Sequence, residues 1–181
     1  MKVTVCELNN EPDDFARDWD QLVAHVEAET SDLVLLPEKP FYSWFAWTRQ
    51  VDLAVWQAAV NAHDNWEIRL RELSPAIVLG TRPVNAGSRR LNEGFVWESE
   101  YGYRAAHSKY YLPDEEGFWE ASWYDRGDGD FTSVQSSKAR IGFLICTEIW
   151  FMERARVYGK NGAPLIATPR ATEKASLEKW L

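Results

Sequence analysis

Three residues of reactive type stand at positions where a fold can use them. Cys146 follows the apolar run Ile141-Gly142-Phe143-Leu144-Ile145, so it lies where a buried strand turns into a helix. Unpaired N–H groups and the dipole at a helix N-terminus favour an anion, and the thiolate is the reactive form of cysteine. Most free cysteines are small core hydrophobes, so position alone does not make this one a nucleophile. Glu38 follows Leu35-Leu36-Pro37 at the C-terminal end of another buried strand. Ligands gather at such strand ends in open α/β sheets, and a carboxylate there is costly unless paired or functional. The plain alternative is an exposed turn residue beside Lys39. Lys109, in His107-Ser108-Lys109-Tyr110-Tyr111-Leu112-Pro113, ends a strand amid aromatics. An ammonium there could stabilise an oxyanion, or simply snorkel to water.

The elements that must carry these residues follow from periodicity. Val3, Val5 and Leu8 open a strand-like segment, and Glu11-Pro12 starts a helix with Phe15, Trp19, Leu22, Val23 and Val26 at helical spacing. Leu33 to Leu36 is a continuous apolar run stopped by Pro37, as in a strand buried on both faces. A second helix places Val51, Ala54, Val55, Ala58, Ala59, Ala62 and Trp66 on one stripe, and Ala76 to Leu79 is a strand ended by Gly80. A hairpin turns at Tyr101-Gly102, and residues 113 to 130 read as a long acidic loop of the kind that often carries function. Strands follow at Thr132 to Gln135, Ala139 to Ile145 and Ala163 to Ala167. Helices cover Ile149 to Tyr158 and begin again at Glu173, running to Leu181. Alternating strands and helices around a hairpin-rich middle predict α/β layers with a mixed sheet in a single domain, 1–181.

Composition sets limits. Twenty Lys plus Arg against 28 Asp plus Glu leave a net charge of −8, and the densest basic run is Arg89-Arg90. Such a surface repels phosphate backbones and anionic lipid, which argues against nucleic-acid or membrane partners. No apolar run is long enough for a bilayer or a signal peptide, so the expected compartment is cytoplasmic. Two cysteines, Cys6 and Cys146, allow at most one bridge, and that compartment disfavours it. His25, His63 and His107 are scattered without metal-ligand spacing, so neither metal nor organic cofactor is expected.

Singly weak, the three reactive residues gain force in combination. The order Glu38, Lys109, Cys146 resembles that of the nitrilase (carbon–nitrogen hydrolase) superfamily. Leu35-Leu36-Pro37-Glu38 is similar to the family's glutamate motif and His107 to Leu112 to its lysine motif. Gly142 to Glu148, continued by Phe151-Met152-Glu153 and Arg156, is similar to its cysteine motif. The resemblance runs from Val3 to the chain end and implies a four-layer α-β-β-α sandwich, C-terminally shorter than the family pattern. It also implies a Glu38–Lys109–Cys146 triad hydrolysing a non-peptide C–N bond in a small amide, carbamoyl compound or nitrile. Thr147 would add a backbone N–H to the oxyanion site, and Glu116 would be the fourth carboxylate, with Glu115 an open alternative. By resemblance again, a homo-oligomer would form through the helices after the cysteine.

Two other readings compete. A papain-like pairing would use His107 as base, but there the cysteine precedes the histidine in the chain. A non-catalytic interaction module could also retain the motifs. Tyr42, Trp119, Trp123 and Trp150 could line a pocket or fill the core.

Overall fold

The computed structural model describes residues 1–9 and 11–172. Its larger sheet has the order β1-β2-β3-β4-β5, from Val3–Val5, Leu33–Leu35, Ile77–Ala86, Arg89–Glu98 and Gly102–Ser108. β2 pairs in parallel with both β1 and β3, whereas β3, β4 and β5 form antiparallel hairpins. A smaller sheet has the order β6-β7-β8, from Val134–Gln135, Arg140–Phe143 and Leu165–Ala167.

The two sheets pack face to face through Leu33, Ile77, Leu79 and Val96 on one side and Ile141, Phe143 and Ala167 on the other. Successive strand residues point to opposite faces, so Val34 and Val78 instead meet the helix layer. That alternation is why β2 reads as an unbroken apolar run. Each such side chain, fully buried, contributes about 1.5–3 kcal/mol.

The outer layer on the large sheet begins with α1, Pro12–Glu29, whose Phe15, Trp19, Leu22 and Val26 face the core. Proline in the first turn with Asp13 and Asp14 starts this helix, and Thr30 ends it in the left-handed region. α2, Leu53–Glu67, is capped by Asp52, whose side chain accepts from the Ala54 and Val55 N–H groups. Its buried face is Trp56, Ala59, Val60 and His63. The stripe expected from sequence is therefore rotated: Ala54 and Ala58 face solvent, because Trp56 and Val60 enter an aromatic cluster with Phe45, Trp123 and Tyr124.

The acidic loop contains a short helix, α3, Glu120–Trp123. On the small sheet's outer side lies α4, Met152–Lys160. Tyr158 packs flat on Gly142, where an added Cβ would stand 2.6 Å from its ring, and its hydroxyl donates to the Phe143 carbonyl. The layers thus run α-β-β-α, as the resemblance implied. Among the described residues no helix is long and apolar enough to cross a membrane.

Several boundaries differ from expectation. β3 continues through Gly80 to Ala86, since that glycine makes room for the Phe95 ring instead of ending the strand. The helix expected over Ile149 to Tyr158 is divided: a 3-10 turn spans Cys146–Trp150 and α4 begins only at Met152. The predicted helix from Glu173 to Leu181 lies outside the described residues.

Candidate active site

Glu38 leaves the C-terminal end of β2 and Cys146 follows the C-terminal end of β7, so the two sheets present both residues at one edge of their interface. The segment after β8 joins them. Glu38 N–H donates to the Arg170 carbonyl at 3.1 Å and Cys146 N–H to the Pro169 carbonyl at 3.0 Å. Lys109 stands one residue beyond β5, its N–H bonded to the Asn92 carbonyl on β4 at 2.9 Å.

The side chains meet in a buried polar cluster. Lys109 Nζ donates to Glu38 Oε1 at 3.0 Å and to both oxygens of Glu120 at 2.9 and 2.8 Å. Asn92 Nδ2 donates to the same Glu38 oxygen at 2.8 Å, while Glu38 Oε2 is buried without a hydrogen-bond partner among the described residues. Lys109, Glu38 and Glu120 are essentially closed to water. Burial would raise the Glu38 pKa, but the Lys109 and Lys39 charges and the two hydrogen bonds hold it below the ordinary carboxylate range. Burial would likewise discharge Lys109, yet Glu120 and Glu38 keep it firmly an ammonium.

Cys146 adopts φ +49, the left-handed region that a non-glycine residue enters only under constraint. Glu148 supplies that constraint. Its buried carboxylate accepts from Ile145 N–H at 2.8 Å, just before the cysteine, and from Tyr110 N–H at 2.8 Å, just after the lysine. His107 Nε2 meets the same carboxylate at 2.9 Å, and its Nδ1 faces the Asp130 carbonyl. His107 is thus engaged in holding this junction together.

Burial first and the Glu38 charge second push the Cys146 thiol up to about 12, against the opposing pull of Lys109. The resting thiolate expected at a helix terminus is therefore not what the site holds. The turn that Cys146 opens is only five residues long, too short for an appreciable dipole, and desolvation outweighs it. A protonated thiol needs a base, and Glu38 stands within electrostatic reach of it.

Beside the thiol lies a cavity of about 70 Å³, walled by Trp44, Phe118, Glu120, Cys146, Thr147 and Trp150 among others. A smaller void of about 10 Å³, lined by His63, Arg82 and Tyr103, touches none of the reactive groups.

The structure thus brings Glu38, Lys109, Cys146 and Thr147 to one place. Glu116 is exposed, away from the Lys109 ammonium; Glu115 reaches the cavity wall but is also exposed. The carboxylate that joins Glu38 in bonding Lys109 is Glu120, which the sequence motifs do not single out. Its one signal is a carboxylate enclosed by Trp119 and Trp123 in an otherwise acidic loop. Asn92 is likewise silent in the sequence, since a polar residue inside a strand carries no signature of its own. Among the expected pocket aromatics, Trp150 lines the cavity, Trp123 fills the core beside which Tyr42 packs, and Trp119 lies under Arg49.

A thiol at a constrained strand-to-turn elbow, beside a carboxylate and an ammonium on an α-β-β-α frame, defines a nitrilase-type fold with a cysteine-centred site. The chain belongs to the carbon–nitrogen hydrolase family, whose profile matches residues 2–181. It is 22% identical over 178 residues to a citrullinase of Francisella tularensis subsp. tularensis, covering 94% of this chain and 61% of that protein. Over 69 residues it is 36% identical to N-carbamoylputrescine amidase of Solanum tuberosum, covering 38% of this chain and 22% of that enzyme. A carbon–nitrogen hydrolase from Helicobacter pylori G27 has the same fold, with TM-score 0.78 and 20% identity, covering 98% of this chain and 62% of that one. So does an amidase from Nesterenkonia sp. AN1, with TM-score 0.72, 17% identity, and 98% and 70% covered. A mutant of that amidase undergoes Michael addition of acrylamide at its active-site cysteine. The chain spans about three-fifths of the length of the citrullinase.

Proposed function

We propose that this protein hydrolyses a non-peptide C–N bond in a small amide, carbamoyl compound or nitrile, with Cys146 as nucleophile. The observation that carries this reading is the Lys109 ammonium, bonded at once to Glu38 and Glu120 beside a thiol that opens onto a cavity.

For an amide, Glu38 takes the thiol proton as the sulfur attacks the carbonyl carbon, and the carbonyl π electrons move to oxygen. Lys109 and the Thr147 backbone N–H stabilise that oxyanion, donors whose loss typically costs about 2.7–4 kcal/mol of barrier. The intermediate collapses, the C–N bond breaks, and the leaving nitrogen takes the proton from Glu38. A thioester remains. Glu38 then accepts a proton from water, the hydroxide displaces the sulfur, and the thiolate recovers its proton. Glu120 holds Lys109 in place throughout. The carbamoyl and amide branches draw support from the citrullinase and N-carbamoylputrescine amidase relatives.

A cytoplasmic homo-oligomer fits the same reading. Ile149, Trp150, Met152 and Val157 leave an exposed apolar face on the turn and helix that follow the cysteine.

The test is ammonia release from N-carbamoyl amines, N-carbamoyl amino acids, short primary amides and nitriles. Turnover of one class, abolished by Cys146→Ala, is expected. Turnover that survives Cys146→Ala would overturn the reading.

A further inference from the structure

The reaction just described uses one lysine, yet a second is buried in the same cluster. Lys39 follows Glu38 directly, is 5% exposed, and holds φ +51, with its N–H donating to the buried Thr81 hydroxyl at 2.8 Å. Its Nζ has no hydrogen-bond partner among the described residues. It rests instead 3.8 Å from the centre of the Trp44 ring, the ring that walls the cavity beside Cys146, with the Tyr124 and Phe45 rings at 5.0 and 5.4 Å. A structural lysine would direct its head to water or to a carboxylate; this one does neither, and a cation–π contact is its nearest compensation.

The charges facing it explain what it can do. They are Glu38 on its own turn, Glu120 on α3, Lys109 beyond β5 and the Cys146 thiol, with the uncharged His63 toward α2. Burial lowers the Lys39 pKa, and the Glu120 and Glu38 charges oppose that fall; with its proton kept, two carboxylates face two ammonium groups. When the proton passes from sulfur to Glu38, the negative charge moves from carboxylate to thiolate and then to the substrate oxygen. With both lysines charged, each state of the cluster is neutral. With Lys109 alone, every state carries an uncompensated negative charge in a site closed to water.

We propose that Lys39 is a positioning residue for this hydrolysis: a second ammonium, seated on Trp44, that keeps Glu38 in the carboxylate form able to accept the Cys146 proton. The proposal rests on the Cys146–Glu38 reading above. It assigns Lys39 no contact with substrate.

The experiment is the pH dependence of Cys146 alkylation by iodoacetamide, compared in wild type, Lys39→Met, Lys39→Arg and Glu38→Gln. Loss of the Lys39 charge makes Glu38 easier to protonate, so Lys39→Met should move the acid limb up by about one pH unit or more. Lys39→Arg, which keeps the charge, should return the limb close to wild type. A uniform slowing in Lys39→Met with the limb unmoved is what a packing role alone produces, and it would overturn the proposal. Should Lys39→Met not fold, ¹⁵N spectra of lysine-labelled wild type, assigned with Lys39→Arg, decide the matter: an ammonium at pH 7 upholds the proposal and a neutral amine sinks it. If Glu38→Gln leaves both rate and pH profile unchanged, the failure lies in the Cys146–Glu38 reading itself.

Discussion

At the scale of single residues, the site turns on which carboxylate meets Lys109. Glu120 bonds the ammonium with both oxygens, whereas Glu116 is exposed. Glu120→Gln should therefore cut kcat/KM by tenfold or more, on the order of a 1.4 kcal/mol loss, and lower stability by leaving a buried charge less well paired. Glu116→Gln should leave both within about 0.5 kcal/mol, as exposed substitutions do. Steady-state kinetics and thermal melts of the two variants check this. Glu38, Lys109 and Cys146 are legible because each follows a strand-like segment within a recognisable local motif. Glu120 is not, because no periodicity marks the inner face of a four-residue helix within an irregular segment.

At the scale of elements, the elbow at Cys146 is held from both sides. Glu148 ties it to the lysine segment, and Tyr158 braces β7 from α4. Gly142 is the point of closest approach, so Gly142→Ala forces the Tyr158 ring away and should cost about 1–3 kcal/mol. A lower denaturation midpoint with unchanged slope would report this; an unchanged midpoint would contradict the packing described. The strands and α1 are readable because burial on one or two faces imposes a period on sequence. The face of α2 is not, since a run rich in alanine offers several stripes of similar hydropathy and only the aromatic cluster around Phe45 and Trp123 selects one. The break between the turn and α4 is illegible too: it depends on Cys146 entering the left-handed region, which tertiary hydrogen bonds impose.

At the scale of the whole molecule, the buried charges and His63 couple folding to pH. Glu38, held below its ordinary 4.5, contributes stability that is full above that value and is lost as pH falls through its folded pKa. His63 is held down to about 3 by burial, so between 6.5 and that value the unfolded chain binds a proton that the folded chain refuses. Stability must therefore fall as pH drops below 6.5. His63→Gln, which can still donate to the Ala59 carbonyl that the histidine faces at 2.8 Å, should flatten that limb. Denaturant titrations between about pH 7 and 4 check it. The layer order is legible from alternating strands and helices together with the motif resemblance; the pH coupling is not, because it arises from burial that sequence does not display.

Burial alone cannot tell the two cysteines apart, since it pushes both Cys6 and Cys146 up to about 12. Only Cys146 has a carboxylate base beside it, whereas the Cys6 thiol meets the Leu35 carbonyl. Peptide mapping of iodoacetamide labelling near neutral pH separates these situations directly. Cys146 should be modified well ahead of Cys6, and Glu38→Gln should erase the difference. Equal, slow labelling of both thiols in the wild-type protein would contradict a Cys146–Glu38 nucleophile and base.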